Sequence, residues 1–208
     1  MNIQLKDNQK IRVISPFDIF TVMREILLLE EESDRRKEHF WTISLDHGHT
    51  VLNIELVSLG TATKTLVEPM EVFSIPLQKK AVKIVLVHNH PSGLLVPSPE
   101  DKDITDRLIQ VGLIMNVPVI DHLIISEEDF YSFAGGTLFA ELSESTKYVP
   151  AYILQQRYEK AARERGEEKG KKEQQKEFVR KLRAKGHSVE DIAELTGLSK
   201  ATINRIKD

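Results

Sequence analysis

Apolar positions in the first two thirds of the chain recur with two periods. After Ser15-Pro16, which reads as an N-cap followed by a proline at the first helical position, Ile19, Val22, Met23, Ile26 and Leu27 return at helical spacing. This predicts a helix from Pro16 to about Glu32, closed by the polar run Glu30 to Glu38. Phe40 to Leu45 and Val51 to Leu59 read as two strands joined across the Gly-containing turn Asp46-His47-Gly48-His49. Pro69 to Lys80 reads as a short helix made irregular by Pro76, and Val82 to His88 as a central strand around the apolar run Ile84 to Val87. A second long helix is expected from Pro99 to about Asn116, with Ile104, Leu108, Val111 and Gly112 on one face. Val119 to Ser126 and Tyr131 to Phe133 complete the strands. A small hairpin is expected from Asn2 to Leu5 and Ile11 to Ile14 across Lys6-Asp7-Asn8. Strands and helices are mixed along the chain, which predicts an α/β class with a mixed sheet flanked by helices.

The pattern thins after residue 143. Tyr148, Ile153, Leu154 and Tyr158 form a weak apolar stripe, and from there to Gln175 only Ala161 and Ala162 are apolar. Gly166 and Gly170 each weaken a helix by about 1 kcal/mol relative to Ala, so residues 144–176 are expected to be a charged, partly helical linker. Residues 177–208 regain a compact pattern. Phe178 and Leu182 fit one helix stopped at Gly186; Ser188 opens a second with Val189, Ile192, Ala193 and Leu195 inward. Thr196-Gly197-Leu198 is a tight turn, and Ser199 caps a third helix with Ile203 and Ile206 inward. This small all-α unit resembles a helix-turn-helix, in which Lys200, Thr202, Asn204, Arg205 and Lys207 of the third helix would face a DNA groove or its phosphates. A three-helix protein-interaction unit fits the same pattern. Residues 1–143, 144–176 and 177–208 are thus read as body, linker and tail.

Charge sharpens this division. Residues 1–143 carry 13 Lys and Arg against 21 Asp and Glu, a net of −8, whereas residues 144–208 carry 16 against 11, a net of +5. A basic tail on an acidic body makes the tail the part suited to meet nucleic acid. Forty per cent apolar residues suffice for a core, and no apolar run reaches the ~18 residues of a membrane span. The polar N-terminal stretch MNIQLKDNQK lacks the apolar region of a secretory signal. Cysteine is absent, which fits a reducing compartment such as the cytoplasm and excludes thiol catalysis and thiolate zinc sites. Zinc nucleobase deaminases, which need Cys ligands, are disfavoured for the same reason.

The chemistry concentrates in Val82 to Asp106. His88 and His90 stand two apart at the end of the central strand, so both rings can face one side. The turn Pro91-Ser92-Gly93 and a helix starting near Ser98-Pro99 can bring Asp101 back to the same point. Two neutral imidazoles and a carboxylate make a three-ligand catalytic zinc site with a fourth position for water. A near-capping box accounts for Ser98, Pro99 and Asp101 on structural grounds alone, but unpaired rings at the mouth of a buried strand are costly unless something binds them. A hydrolase of this kind also needs a general base, for which Glu30, Glu31, Glu32, Asp34, Glu38 and Glu55 are all candidates. His47 and His49 sit in a turn and are read as structural. His122, in an apolar strand after Asp121, is read as a satisfied core residue or a partner behind the ligands.

The spacing His88-x-His90, seven residues, Ser98, two residues, Asp101 resembles the JAMM (MPN+) metalloprotease pattern, and His88-Asn89-His90-Pro91-Ser92-Gly93 resembles the RadC-like branch of the JAB domains. The resemblance covers about Ile14 to Leu142. Leu94-Leu95 stand where RadC-like chains usually have Asp-Pro, which keeps the spacing and makes the rim more apolar. The resemblance implies an MPN/JAB-type fold and a Zn2+-dependent peptidase or isopeptidase acting on a protein or peptide. It points to Glu38, just before the first hairpin strand, as the acid that takes a proton from the zinc-activated water and returns it to the leaving amine. Ser98 would stabilise the oxyanion; Asn89, on the opposite face of the strand, is assigned no catalytic role. RadC-like proteins are also associated with DNA repair, through longer members with an N-terminal helix-hairpin-helix region that this chain is expected to start too late to contain. A repair-associated or nuclease function and a metal-binding module without turnover therefore stay open beside the peptidase.

Overall fold

The structure is a computed structural model, and it describes residues 2–3, 11–60 and 67–206. The chain divides into two compact units, residues 1–149 and 150–208.

The first unit is built on a six-stranded sheet. Its strands are β1 (Asn2–Ile3), β2 (His39–Leu45), β3 (Val51–Leu59), β4 (Lys83–Asn89), β5 (Val119–Ile125) and β6 (Phe130–Ser132), in the spatial order β1-β3-β2-β4-β5-β6. Neighbours are antiparallel except β4 and β5, which are parallel. The helices are α1 (Pro16–Leu29), α2 (Glu32–Arg35), α3 (Pro69–Gln78), α4 (Pro99–Ile114) and α5 (Leu138–Glu144). Helix α4 makes the crossover from β4 to β5 that a parallel pair requires.

Side-chain alternation along the strands sorts the core into two layers. Val85 and Val87 of β4 join Trp41, Ile43 and Leu45 of β2 and the buried face of α1. Ile84 and Leu86 join Phe40, Phe73 of α3, and Leu108 and Ile109 of α4. Residues on β4 from Ile84 to Asn89 are therefore buried on both faces, which explains the unbroken apolar run seen in the sequence. Gly112 lets α4 lie close to the chain entering β5: a Cβ there would meet the Val117 carbonyl oxygen at 2.8 Å.

The mixed sheet flanked by helices is the expected α/β fold, with differences at the edges. The first helix stops at Leu29, and part of the following polar run forms the separate turn of α2. Ser15 N–H donates to Asp18 Oδ2 at 2.7 Å, a capping contact that fixes the start of α1. Helix α5 was not expected from its pattern; its Phe139 and Leu142 pack on the second layer. Of the expected N-terminal hairpin, residues 4–10 lie outside the described residues; Asn2 and Ile3 pair with Glu55 and Ile54 of β3.

The second unit contains α6 (Ala151–Ala184), α7 (Val189–Thr196) and α8 (Lys200–Arg205). Helix α6 runs unbroken for 34 residues, through Gly166 and Gly170. Most of the segment expected to be a charged, partly helical linker is thus continuous helix, laced by (i, i+4) ion pairs such as Lys160–Glu164, Arg163–Glu167 and Lys172–Glu168. Val179, Leu182, Ile192, Ile203 and Ile206 form the unit's small core. Leu195, expected inward, is 60% exposed, and Phe178, read as part of the first helix's apolar pattern, is 50% exposed. Val179, one residue on, takes the inward place with Leu182 at helical spacing. Gly197, at φ 70°, makes the left-handed turn after α7. Arg183 donates to the Ile203 and Ile206 carbonyls and closes the end of α8. Among the described residues, no helix is long and apolar enough to cross a membrane.

Candidate metal centre

Strand β4 ends at Asn89, and its pairing with β5 is carried one residue further by a bond from His90 N–H to the Ile125 carbonyl, 3.0 Å. That backbone bond keeps the second histidine in line with the strand although the strand itself has ended. The turn that follows closes with Gly93 N–H on the His90 carbonyl at 2.9 Å and Gly93 at φ 75°. The chain then reaches Ser98, the N-cap of α4. Ser98 Oγ accepts Asp101 N–H at 3.0 Å, and Asp101 Oδ2 accepts Ser98 N–H at 2.8 Å. The capping box seen in the sequence is therefore made, and it aims the Asp101 carboxylate at the two rings.

Three separations define the centre. His88 Nε2 lies 3.0 Å from His90 Nε2 and 3.2 Å from Asp101 Oδ1, and His90 Nε2 lies 3.5 Å from Asp101 Oδ2. Metal bonds of about 2.0–2.1 Å at tetrahedral angles hold ligand atoms about 3.3 Å apart. The donor set, two imidazoles and a carboxylate with no sulfur, and its spacing both fit a single small divalent ion. Among the described residues, His88, His90 and Asp101 are the group brought close enough for this.

Each ring is oriented from behind. His90 Nδ1 is 2.5 Å from the Leu94 carbonyl, so it carries the proton there and turns Nε2 to the centre. His88 Nδ1 is 2.8 Å from His122 Nε2, and His122 Nδ1 is 2.6 Å from Thr105 Oγ1, which donates to the Asp101 carbonyl. With His88 Nε2 kept for a metal, one consistent direction results: His88 donates to His122, His122 to Thr105, and Thr105 to the backbone of the third candidate ligand. His122 is fully buried and so is both a core residue and the partner behind His88.

Burial and charge act together on the titratable groups. Burial pushes the Asp101 carboxyl up, but hydrogen bonds from His88 and His90, the His88 charge and Ser98 hold it well below the usual carboxylate range. Burial lowers His90, and its bonds to Asp101 and the Leu94 carbonyl more than offset this and raise it. Burial, joined by the charge on His88, drives His122 well below an ordinary histidine. Glu38 is raised: burial lifts it, His88 and His90 pull it down, and Asp101 lifts it further.

These side chains open into a cleft of about 720 Å³. Glu38, His88, His90, Ser98 and Asp101 all line it. Of the carboxylates considered from the sequence, Glu38 is the one on that lining among the described residues. Glu32 is paired with Arg36 and Asp34 with Lys37. Leu94 and Val96 stand at the rim, 65% and 68% exposed, where the sequence suggested an apolar edge. His47 and His49 stay in their turn, and His49 Nε2 lies 2.8 Å from Lys83 Nζ. In the second unit Lys200, Thr202, Asn204 and Arg205 are all exposed on α8, with Lys200 paired to Glu190 at 2.6 Å. Lys207 lies outside the described residues.

Residues 14–138 match the RadC-like JAB domain, over more than half of the 208-residue chain. The chain belongs to the RadC-like JAB domain family. Residues 168–208 match the helix-turn-helix domain of resolvase. The JAB domain is similar to curated UPF0758 proteins. That of Desulforudis audaxviator is 41% identical over 113 residues, 54% of this chain and 49% of that protein. That of Syntrophomonas wolfei is 41% identical over 132 residues, 63% and 54%. That of Moorella thermoacetica is 44% identical over 106 residues, 51% and 46%. The chain thus spans about half the length of the curated relatives it matches.

Proposed function

We propose that the JAB domain is a zinc-dependent peptidase or isopeptidase that hydrolyses an amide bond in a protein or peptide. The observation that carries this reading is the spacing of His88, His90 and Asp101, 3.0 to 3.5 Å between facing atoms, beside Glu38 in one cleft. A zinc ion held by those three side chains supplies Lewis acidity, which acidifies a water and polarises a carbonyl. Glu38 takes a proton from the attacking water and delivers it to the departing amine. Ser98 Oγ already accepts from Asp101 N–H, so its hydroxyl hydrogen is left to donate to the developing oxyanion. Such a donor contributes about 2–4 kcal/mol in other enzymes.

The tail is proposed to bring this domain to DNA, with Lys200, Thr202, Asn204 and Arg205 of α8 facing the groove and phosphates. The match to a resolvase helix-turn-helix and the net charge of +5 after residue 143 support this. The working division is residues 1–143 for hydrolysis, 144–176 as a charged spacer and 177–208 for DNA. The resolvase match also favours a second reading, in which the same centre cuts DNA in a repair setting.

One experiment tests both. Zinc content is measured in the wild type, His88→Ala and Asp101→Ala, and peptide and DNA cleavage are assayed on the same samples. One zinc per wild-type chain, none in the variants, and chelator-sensitive peptide cleavage are expected. Stoichiometric zinc in both variants ends the ligand assignment. Chelator-sensitive DNA cutting without peptide cleavage transfers the reading to the nuclease.

A further inference from the structure

Asn89 sits between the two histidines and points to the other face of β4, away from the cleft. It is 2% exposed, in a strand whose other residues are Lys83, an apolar run and the candidate ligand His88. A buried carboxamide must find partners for its oxygen and its N–H groups. Asn89 Oδ1 accepts His39 N–H at 2.7 Å, and Asn89 Nδ2 donates to the Lys37 carbonyl at 3.0 Å. Those backbone groups belong to the residues immediately before and after Glu38.

The register explains why a side chain is needed here. The antiparallel ladder between β2 and β4 has Phe40 opposite His88 as its outermost pair. Beyond that pair the Asn89 carboxamide stands in for a strand: one acceptor, one donor, both turned to β2. Two further bonds complete the hold on this segment. His39 Nδ1 lies 2.9 Å from the Lys37 carbonyl, and Gly60 N–H donates to the Glu38 carbonyl at 2.8 Å. Glu38 therefore stands on a backbone fixed on both sides, and the fixing residue is covalently joined to both candidate histidine ligands.

We propose that Asn89 is a positioning residue: it locks the backbone that carries Glu38 to the strand that carries His88 and His90, and so sets the carboxylate against the metal centre. The proposal rests on the hydrolase reading for its effect on turnover, and on geometry alone for its effect on the backbone. Asn89 touches no reacting atom. Proton transfer depends on the approach of Glu38 to the water, and small misplacements of such a group are costly in rate.

The test uses the full chain loaded with zinc and the variants Asn89→Leu and Asn89→Asp. Asn89→Asp keeps the acceptor for His39 and loses the donor for Lys37. Hydrogen exchange of the His39 amide is expected to quicken at least about tenfold in Asn89→Leu, and less in Asn89→Asp. Zinc affinity, measured against a competing chelator, stays within about threefold of wild type, since no ligand or ligand partner is removed. Peptide turnover falls by at least about tenfold in kcat with little change in KM. In a Glu38→Gln background the same substitution costs nothing further, because the group it positions is gone.

Unchanged His39 exchange overturns the proposal. So does zinc affinity that falls in step with turnover, which would place the effect on the ligands, or an equal loss in both backgrounds, which would mark general destabilisation. A wild-type chain that cleaves no peptide overturns the hydrolase reading; the lock is then decided by His39 exchange and zinc affinity, which need no substrate.

Discussion

The two units place their polar residues in opposite ways. In the first, the residues that could do chemistry are buried or half-buried, and each is held by a named neighbour: His88 by His122, His90 by the Leu94 carbonyl, Asp101 by Ser98, the flanks of Glu38 by Asn89. In the second, the candidate DNA contacts lie exposed on a short helix over a small core. A centre that must hold an ion within tenths of an ångström needs fixed partners, whereas a surface that meets phosphates needs reach and charge. On the proposed function, substitutions in the first unit are expected to act through geometry, and those in the second through electrostatics.

The largest expected effect breaks the centre outright. His88→Ala or Asp101→Ala should remove bound zinc and reduce peptide cleavage to background, while DNA binding by mobility shift is unchanged. Glu38→Gln comes next: zinc stays, and kcat falls by about 10²–10⁴-fold, the usual range for a lost general base. His122→Leu should weaken zinc by about 10–100-fold in chelator competition, with partial recovery in His122→Gln, whose amide oxygen can still accept from His88. On the other side of the comparison, Arg205→Ala should weaken DNA binding across sequences and lower the salt slope by about 1, leaving zinc content and turnover as in wild type. The smallest effect is structural. Gly170→Ala has open space around it and should raise the stability of α6 by about 0.5–1 kcal/mol in thermal or denaturant melts.

Much of the first unit was legible because its signals are local. His88, His90, Ser98 and Asp101 lie within one strand-turn-helix passage, so spacing and capping rules alone bring them together. Glu38 was legible only through the family likeness. Its nearness to the centre comes from pairing β2 against β4, a contact between distant stretches of chain that periodicity does not carry. Asn89 was passed over for the same reason: its partners lie at the start of another strand, although an amide inside an apolar strand was itself a signal. Nothing in the sequence marks Thr105, since its link to His122 depends on how α4 lies over β5. In the tail, Phe178 turns outward because α6 runs straight through the segment read as linker; Leu195 lies on α7, and nothing in the structure explains why it is exposed. A helix entering from upstream sets its own phase, and that phase selects Val179.

The carboxylate of Asp101 closes the first turn of α4 and also faces both rings. Ion uptake and the fraying of that turn thus draw on one group, so they are thermodynamically linked. Any metal that binds tightens the start of the helix, and any change that loosens Ser98 to Asp101 raises the concentration of metal needed to fill the site.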